Sequence, residues 1–305
     1  MTVGELLRGT ARRFAAARLH FGHGTHNARD EAAFLVLRGL GLRFDADLAR
    51  PVRGSEAARI EKLVQRRIRE RIPVAYLLRQ AWLGKLGFYV DQRVIVPRAF
   101  IAELPRERLR PWLKRRVRRA LDLCTGSGCL AVLLALAFPR ARIDATDVSR
   151  QALAVARKNV FCYGLGKRIR LIQSDLFAAL GGRRYDLIVT NPPYVTAASM
   201  RALPREYRHE PRRALAGGGD GLDFVRRILA AARAHLQPGG LLVCEIGDNR
   251  RALGRQFPRL PFLWPDTSAG PGQVFMLPRE WIPAPRRSRT IGASRARPTT
   301  ARARR

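Results

Sequence analysis

The sequence predicts a doubly wound α/β sheet preceded by a small helical region and a β-hairpin. Three observations carry this expectation. From Arg119 onward, apolar strand-like runs alternate with helical ones, the pattern of a parallel sheet with crossover helices. Several of these runs end in a polar side chain or a glycine turn. The first 80 residues, in contrast, carry helical patterns and no strand signal.

In chain order, TARRFAAARLHF (10–21) is amphipathic. Asn27 suits the N-cap of ARDEAAFLVLRGL, and Ser55 that of EAARIEKLVQRRIRERI, which Pro73 ends. AWLGKLGFYVDQRVIVP (81–97) reads as a hairpin with Gly84 and Gly87 near its turn and alternation through FYVDQRVIV. PRERLRPWLKRRVRR (105–119) is a basic, partly helical connector. Then come a strand and glycine turn in ALDLCTGSG, a helix in CLAVLLALAF, a strand in ARIDATDVS and a helix in RQALAVARKNVFCYG. IRLIQSDLF and YDLIVTNPPY are the third and fourth strands. LDFVRRILAAARAHL (222–236) is a helix, GLLVCEIG (240–247) the fifth strand and QVFMLPR (273–279) the last. The expected units are therefore 1–80, helical; 81–118, hairpin and connector; 119–282, the α/β sheet domain; and 283–305, an Arg-rich tail.

Composition narrows the function classes. A chain of 305 residues with 47% hydrophobic content has enough apolar material for a real core. Its longest apolar run, LAVLLALAF (130–138), is far below the ~18 residues that span a bilayer. MTVGELLRGTARRF lacks a signal-peptide core, so the expected location is cytoplasmic, without membrane association. Cys124, Cys129, Cys162 and Cys244 form no CxxC pair and the five histidines show no ligand spacing, so reduced thiols and no metal are expected. The net charge is +34, yet only five of the 58 basic residues are lysine. Such an excess favours contact with RNA or ribosomes. The tail from Pro283 adds eight arginines and no acid, too little apolar surface to fold.

The chemistry concentrates at the strand ends. In DLCTGSG, Gly126 and Gly128 permit a tight turn and close backbone approach to a ligand, while Asp122 would repel a phosphate and suit an ammonium group. Asp147 ends the second strand, where an acid can accept both hydroxyls of a ribose. Asp175 ends the third and can accept from an adenine amino group. Asn191 ends the fourth, just before Pro192, Pro193 and Tyr194. An amide or aryl amine is a poor nucleophile because its lone pair is delocalised. A site that methylates it must hold its two N–H groups and aim the nitrogen. The Asn191 side-chain oxygen and the Pro192 carbonyl supply two acceptors on a backbone stiffened by proline, and Tyr194 can pack on the flat face of the substrate group.

These motifs together resemble a class I S-adenosylmethionine-dependent methyltransferase, a Rossmann-like doubly wound fold, acting on an amide or amino nitrogen. FGHGTHNARDEAAFLVL, RIPVAYLLRQAW, FYVDQRVIVPR, QSDLFAAL and LPREYRHEP extend the resemblance over residues 1–281. They place it in the bacterial protein-(glutamine-N5) methyltransferase family, in the branch acting on large-subunit ribosomal protein 3. The resemblance implies S-adenosylmethionine as cofactor, held at its methionine end by Asp122, Thr125, Gly126 and Gly128, at the ribose by Asp147, and at the adenine by Asp175 and Leu176. Asn191 also neighbours the cofactor. Asn191, Pro192, Pro193 and Tyr194 form the glutamine site, with Asn191, Pro192 and Tyr194 catalytic. Leu176 favours this branch over its sister, which methylates peptide chain release factors and often carries Trp there. His26 where an acid is expected, Ala99-Phe100 in place of Ser-Pro, and the basic tail depart from the pattern. Adenine-N6 methylation of nucleic acid is the alternative with the same chemistry; a ribosome-assembly factor with a vestigial fold is the non-enzymatic one.

Overall fold

The structure, a computed structural model, describes residues 1–104 and 106–284; most of the expected tail lies outside them. Four helices open the chain: α1 (Val3–Ala16), α2 (Ala28–Gly39), α3 (Gly54–Glu70) and α4 (Val74–Leu78). α1 starts ahead of the amphipathic run because Thr2 and Glu5 close a capping box on its first turn. Asn27 caps α2 as expected, accepting the Asp30 amide at 2.9 Å. Ser55 does not cap α3. The helix begins at Gly54, and the Glu56 carboxylate accepts the Arg53 amide at 3.0 Å, closing the first turn from inside.

The hairpin is shorter than the alternation suggests. β1 (Gln80–Leu83) pairs antiparallel with β2 (Leu86–Tyr89), and the strand stops there. Asp91 accepts the Arg93 amide, forming a side-chain turn that breaks the extension. Val90, Val94 and Val96 are nevertheless buried. Their alternation records burial without strand pairing.

Six strands form the main sheet: β3 (Arg119–Leu123), β4 (Arg142–Asp147), β5 (Ile169–Gln173), β6 (Tyr185–Thr190), β7 (Leu236–Glu245) and β8 (Val274–Pro278). Their order is β5-β4-β3-β6-β7-β8, parallel except that β8 runs antiparallel against β7. The wholly parallel expectation thus fails at the last strand, an edge position where mixed sheets commonly accept one. Alternate residues serve opposite faces. Ala120 packs with α5 (Cys129–Ala137), whereas Leu121 and Leu123 pack with α7 (Asp223–His235).

The chain winds from β3 outward through β4 to β5, then returns to place β6 on the other side of β3. The switch point of the topology is therefore the β3–β6 seam, where open α/β sheets bind ligands. α6 (Arg150–Cys162) ties the other parts to that seam. Its Ala152 and Val155 join the core of the N-terminal helices. Its Asn159 exchanges hydrogen bonds with the Tyr89 backbone at 2.7 and 3.0 Å and donates to the Ser127 carbonyl at 2.8 Å. One buried amide thus straps the hairpin to the glycine turn.

Candidate active site

Register brings the expected residues together. Leu123 lies opposite Thr146 on one side and Thr190 on the other, so Cys124, Asp147 and Asn191 leave the sheet in one row. A single cavity at this edge is lined by Thr125, Gly126, Asp147, Asp175, Leu176 and Asn191, together with Pro193. Asp122, Gly128, Pro192 and Tyr194 are not on its wall.

The glycine turn is positioned by Asp147. Its Oδ2 accepts the Gly126 amide at 2.9 Å and its Oδ1 the Ser149 amide at 2.8 Å. Each oxygen keeps a second lone pair, so the residue can still receive two ligand hydroxyls. Gly126 and Gly128 both have positive φ, and a Cβ on Gly128 would stand 3.0 Å from the Ala156 Cβ. That close packing sets the turn against α6. Asp122 lies fully buried behind the turn, where Oδ2 accepts the Thr125 hydroxyl at 2.5 Å and Oδ1 has no hydrogen-bond partner. Burial pushes its carboxyl up to about 7 against the pull of that hydroxyl. An unpartnered buried carboxylate oxygen beside a ligand cavity fits a cationic group.

Asp175 is exposed and pairs with Arg227 at 2.7 Å. Such surface pairs contribute only about 0–1 kcal/mol, so a ligand amino group can compete for it. Leu176 is buried at φ +49°, a left-handed conformation that turns the chain back into the cavity wall.

The Asn191 side chain and the Pro192 carbonyl form no hydrogen bond with any described residue. Tyr194 is outside the lining of the cavity. Its hydroxyl donates to Glu245 Oε1 at 3.2 Å, and a Cβ on Gly247 would come within 2.6 Å of its ring. Glu245 is fully buried, also accepts the Ile101 amide at 3.3 Å, and is pushed up to about 7 by burial. Tyr194 and Glu245 therefore brace the Asn-Pro-Pro backbone from below.

Sequence reading missed the residues that hold the far wall. Arg98 makes a bidentate ion pair with buried Glu210, both contacts at 2.7 Å, and Glu210 also accepts the Val96 amide at 2.9 Å. Burial raises the Glu210 carboxyl, but Arg98 and that amide outweigh it and hold it below its ordinary value. Buried His23, 3.8 Å away, is lowered by burial to about 4 and so is neutral. Four residues earlier, Glu206 receives Arg67 and Arg71 from the helical domain, and fully buried Arg67 also grips Glu31 at 3.1 Å. The segment after the Asn-Pro-Pro-Tyr motif is thereby fastened to the N-terminal helices. Arg98, Arg213, Phe224 and Val148 complete the cavity wall. The legible signal was Glu206 and Glu210 in LPREYRHEP, two acids one helical turn apart in a chain with 24 acids to 58 bases.

Comparison with known proteins follows this geometry. The Methyltransferase small domain family matches residues 106–222. A ribosomal protein uL3 glutamine methyltransferase of Bordetella pertussis is 54% identical over 286 residues, covering 92% of this chain and 96% of that one. The chain belongs to this family. Another member of the uL3 glutamine methyltransferase family, from Burkholderia pseudomallei, is 49% identical over 93% of this chain and 96% of its own length. Among solved structures, the hMettl16 catalytic domain in complex with a MAT2A 3′UTR hairpin superposes with a TM-score of 0.50 at 16% identity. It covers 77% of this chain and 84% of that one, which supports the class I methyltransferase fold alone.

The uL3 glutamine methyltransferase family uses S-adenosylmethionine, and the donor set here fits it: an open glycine turn, Asp147 with lone pairs to spare, and an unpartnered oxygen on Asp122. Among the described residues no group of three or more His, Cys, Asp or Glu could hold a metal ion, and no helix is long and apolar enough to cross a membrane.

Proposed function

We propose that this enzyme methylates the side-chain nitrogen of a glutamine in large-subunit ribosomal protein uL3. The observation that carries the reading is the free Asn191 amide. It stands at the switch point, one strand from the glycine turn, with no described residue as its partner. S-adenosylmethionine supplies an electrophilic methyl on a sulfonium. Asn191 Oδ1 would accept one N–H of the glutamine amide and the Pro192 carbonyl the other, which would orient the nitrogen. As the N–CH3 bond forms the S–CH3 bond breaks, and one amide proton passes to solvent. No strong base is required in advance, because the nitrogen becomes acidic as its new bond forms. Positioning therefore supplies most of the rate.

Gly126, Gly128 and Thr125 with Asp122 hold the methionine end, Asp147 the ribose, and Asp175 with Leu176 the adenine. The Tyr194–Glu245 pair keeps the motif rigid. The helical domain selects the protein substrate, presenting it over the segment that Glu206 and Glu210 anchor. A ribosomal substrate places the enzyme in the cytoplasm. The test is methyl transfer from labelled S-adenosylmethionine to purified uL3, a release factor and duplex DNA, each in separate reactions. Label on a uL3 glutamine is expected. Label confined to the release factor or to adenine would replace this substrate with the corresponding alternative.

A further inference from the structure

The opposite edge of the sheet carries a second, chemically different cavity. An open cleft of about 1180 Å³ runs along the starts of β3, β4, β6 and β7. Eight basic side chains and a single carboxylate, Asp186, line it. Lys114 and Arg116 come from the connector, Arg118 and Arg119 from the start of β3, and Arg140 and Arg142 from the start of β4. A smaller cavity of about 290 Å³ shares Arg119 and Arg142 and adds Lys167 and Arg170 towards β5. The bases thus extend from the connector across the starts of β3, β4 and β5, roughly 10 Å at ~4.8 Å per strand, while β6 and β7 contribute Asp186 and Gln237.

Density distinguishes this surface from the rest of an arginine-rich protein: eight bases share one cleft with one carboxylate. Elsewhere bases either meet acids, as Arg13 meets Glu61 and Arg66 meets Glu70, or stand apart on the surface, as Arg12, Arg59 and Arg69 do. In the cleft, Asp186 faces Arg115, and its other oxygen accepts the Arg118 and Arg119 amides. Arg116, Arg140 and Arg142 are exposed and have no carboxylate partner among the described residues. Crowded like charges repel, and an anion in the cleft relieves that repulsion. Eight bases in an open cleft of about 1180 Å³ exceed what a single phosphate needs and match a phosphodiester chain, whose charges recur every few ångströms. Arginine presents the forked donors suited to phosphate.

The described chain also ends at this edge. Glu280 accepts the Gly239 amide at 2.8 Å, Trp281 packs on Trp112 beside the connector, and the sequence continues from residue 285 with eight more arginines. We propose that this edge is an RNA-binding surface that holds the enzyme on ribonucleoprotein by the phosphate backbone, leaving the methylation cavity open at the other end of the same strands. The choice of RNA among polyanions rests on the ribosomal-protein substrate; the charge argument does not.

The experiment is fluorescence anisotropy of the full chain with a labelled RNA hairpin across a salt series, beside Arg116→Gln/Arg140→Gln/Arg142→Gln. A control triple, Arg12→Gln/Arg59→Gln/Arg69→Gln, removes the same charge from exposed positions of the helical domain. The cleft triple is expected to bind about tenfold or more weakly at ~0.1 M salt, with a slope of log affinity against log salt lower by about 2–3. The control should stay near wild type, and the corresponding triple to Lys should retain the slope. Methylation of a glutamine peptide should be unchanged in all of them, so failure of the substrate assignment and failure of this proposal read out separately. Unchanged RNA binding by the cleft triple, an equal loss in the control, or binding to anionic phosphatidylglycerol vesicles in preference to RNA would each overturn the proposal.

Discussion

The two ends of one parallel sheet carry opposite chemistry. At the carboxyl ends of the strands, acids and amides converge on a cavity. Several arginines near it are paired, Arg93 with Asp91, Arg98 with Glu210 and Arg227 with Asp175, while Arg213 on its wall has no carboxylate partner among the described residues. At the amino ends, eight bases share an open cleft with one acid, Asp186, and Arg116, Arg140 and Arg142 have no carboxylate partner among the described residues. A five-residue strand separates the two by only about 16 Å. Parallel strands make this possible, because every β-to-α loop lies at one edge and every α-to-β loop at the other. The comparison teaches that a net charge of +34 says little about the site. What matters is which bases the fold has paired.

The sharpest way to break the paired end is Glu210→Ala. It leaves half-buried Arg98 without its bidentate partner and the buried Val96 amide without an acceptor. Losing one member of a buried pair costs about 3–5 kcal/mol, visible as a large fall in the midpoint of denaturant unfolding. Substituting Arg116 at the unpaired end should leave that midpoint unchanged or raise it.

A smaller effect is expected at Asp147. Asp147→Ala removes the acceptor for two ligand hydroxyls and also frees the Gly126 and Ser149 amides. Each charged hydrogen bond contributes roughly 1.5–3 kcal/mol, so calorimetry should show at least tenfold weaker binding of S-adenosylmethionine. Unchanged affinity would remove Asp147 from the ribose site.

The sheet was legible in the sequence because its central strands β3, β6 and β7 are buried on both faces and read as apolar runs, and because polar or glycine residues mark where the strands end. Gly126, Asp147, Asp175 and Asn191 could be found from that grammar alone, whereas Thr125 and Leu176 came only from the resemblance. Asp91 broke an alternation that pattern alone could not distinguish from a strand. The bond of Tyr194 to Glu245 crosses 51 residues and leaves no local trace. The same holds for Arg67, whose partners Glu31 and Glu206 lie 36 and 139 residues away. Long-range pairing also decides the direction of β8.

Glu245 offers a pH test of that hidden brace. Its folded carboxyl titrates near 7, above the ordinary value of 4.5. The folded state therefore holds the proton more tightly than the unfolded one. Stability it contributes is present below the unfolded value and is lost as pH rises through about 7. Glu245→Gln cannot ionise, so its stability relative to wild type should grow between about pH 5 and pH 8. A flat difference across that range would mean Glu245 titrates normally and is not held in the buried setting described.

The smallest effect on chemistry is expected from the arginine-rich end. Truncation after Ala284 removes eight positive charges and should leave turnover on a glutamine peptide near wild type, while affinity for RNA and its salt dependence both decline. Loss of peptide turnover would place the truncated residues at the paired end of the sheet instead.

The central claim is that the unpartnered Asn191 amide holds the substrate amide. Single-turnover methyl transfer by Asn191→Ala and Asn191→Asp, with S-adenosylmethionine affinity measured on the same preparations, tests it most directly. The expected result is a fall in the transfer rate of about a hundredfold or more, the size typical of losing one preorganised catalytic contact, with Asn191→Ala binding the cofactor nearly as tightly as wild type. Transfer at the wild-type rate by either variant would contradict the account and leave the Asn-Pro-Pro-Tyr turn as no more than a rigid exit from β6.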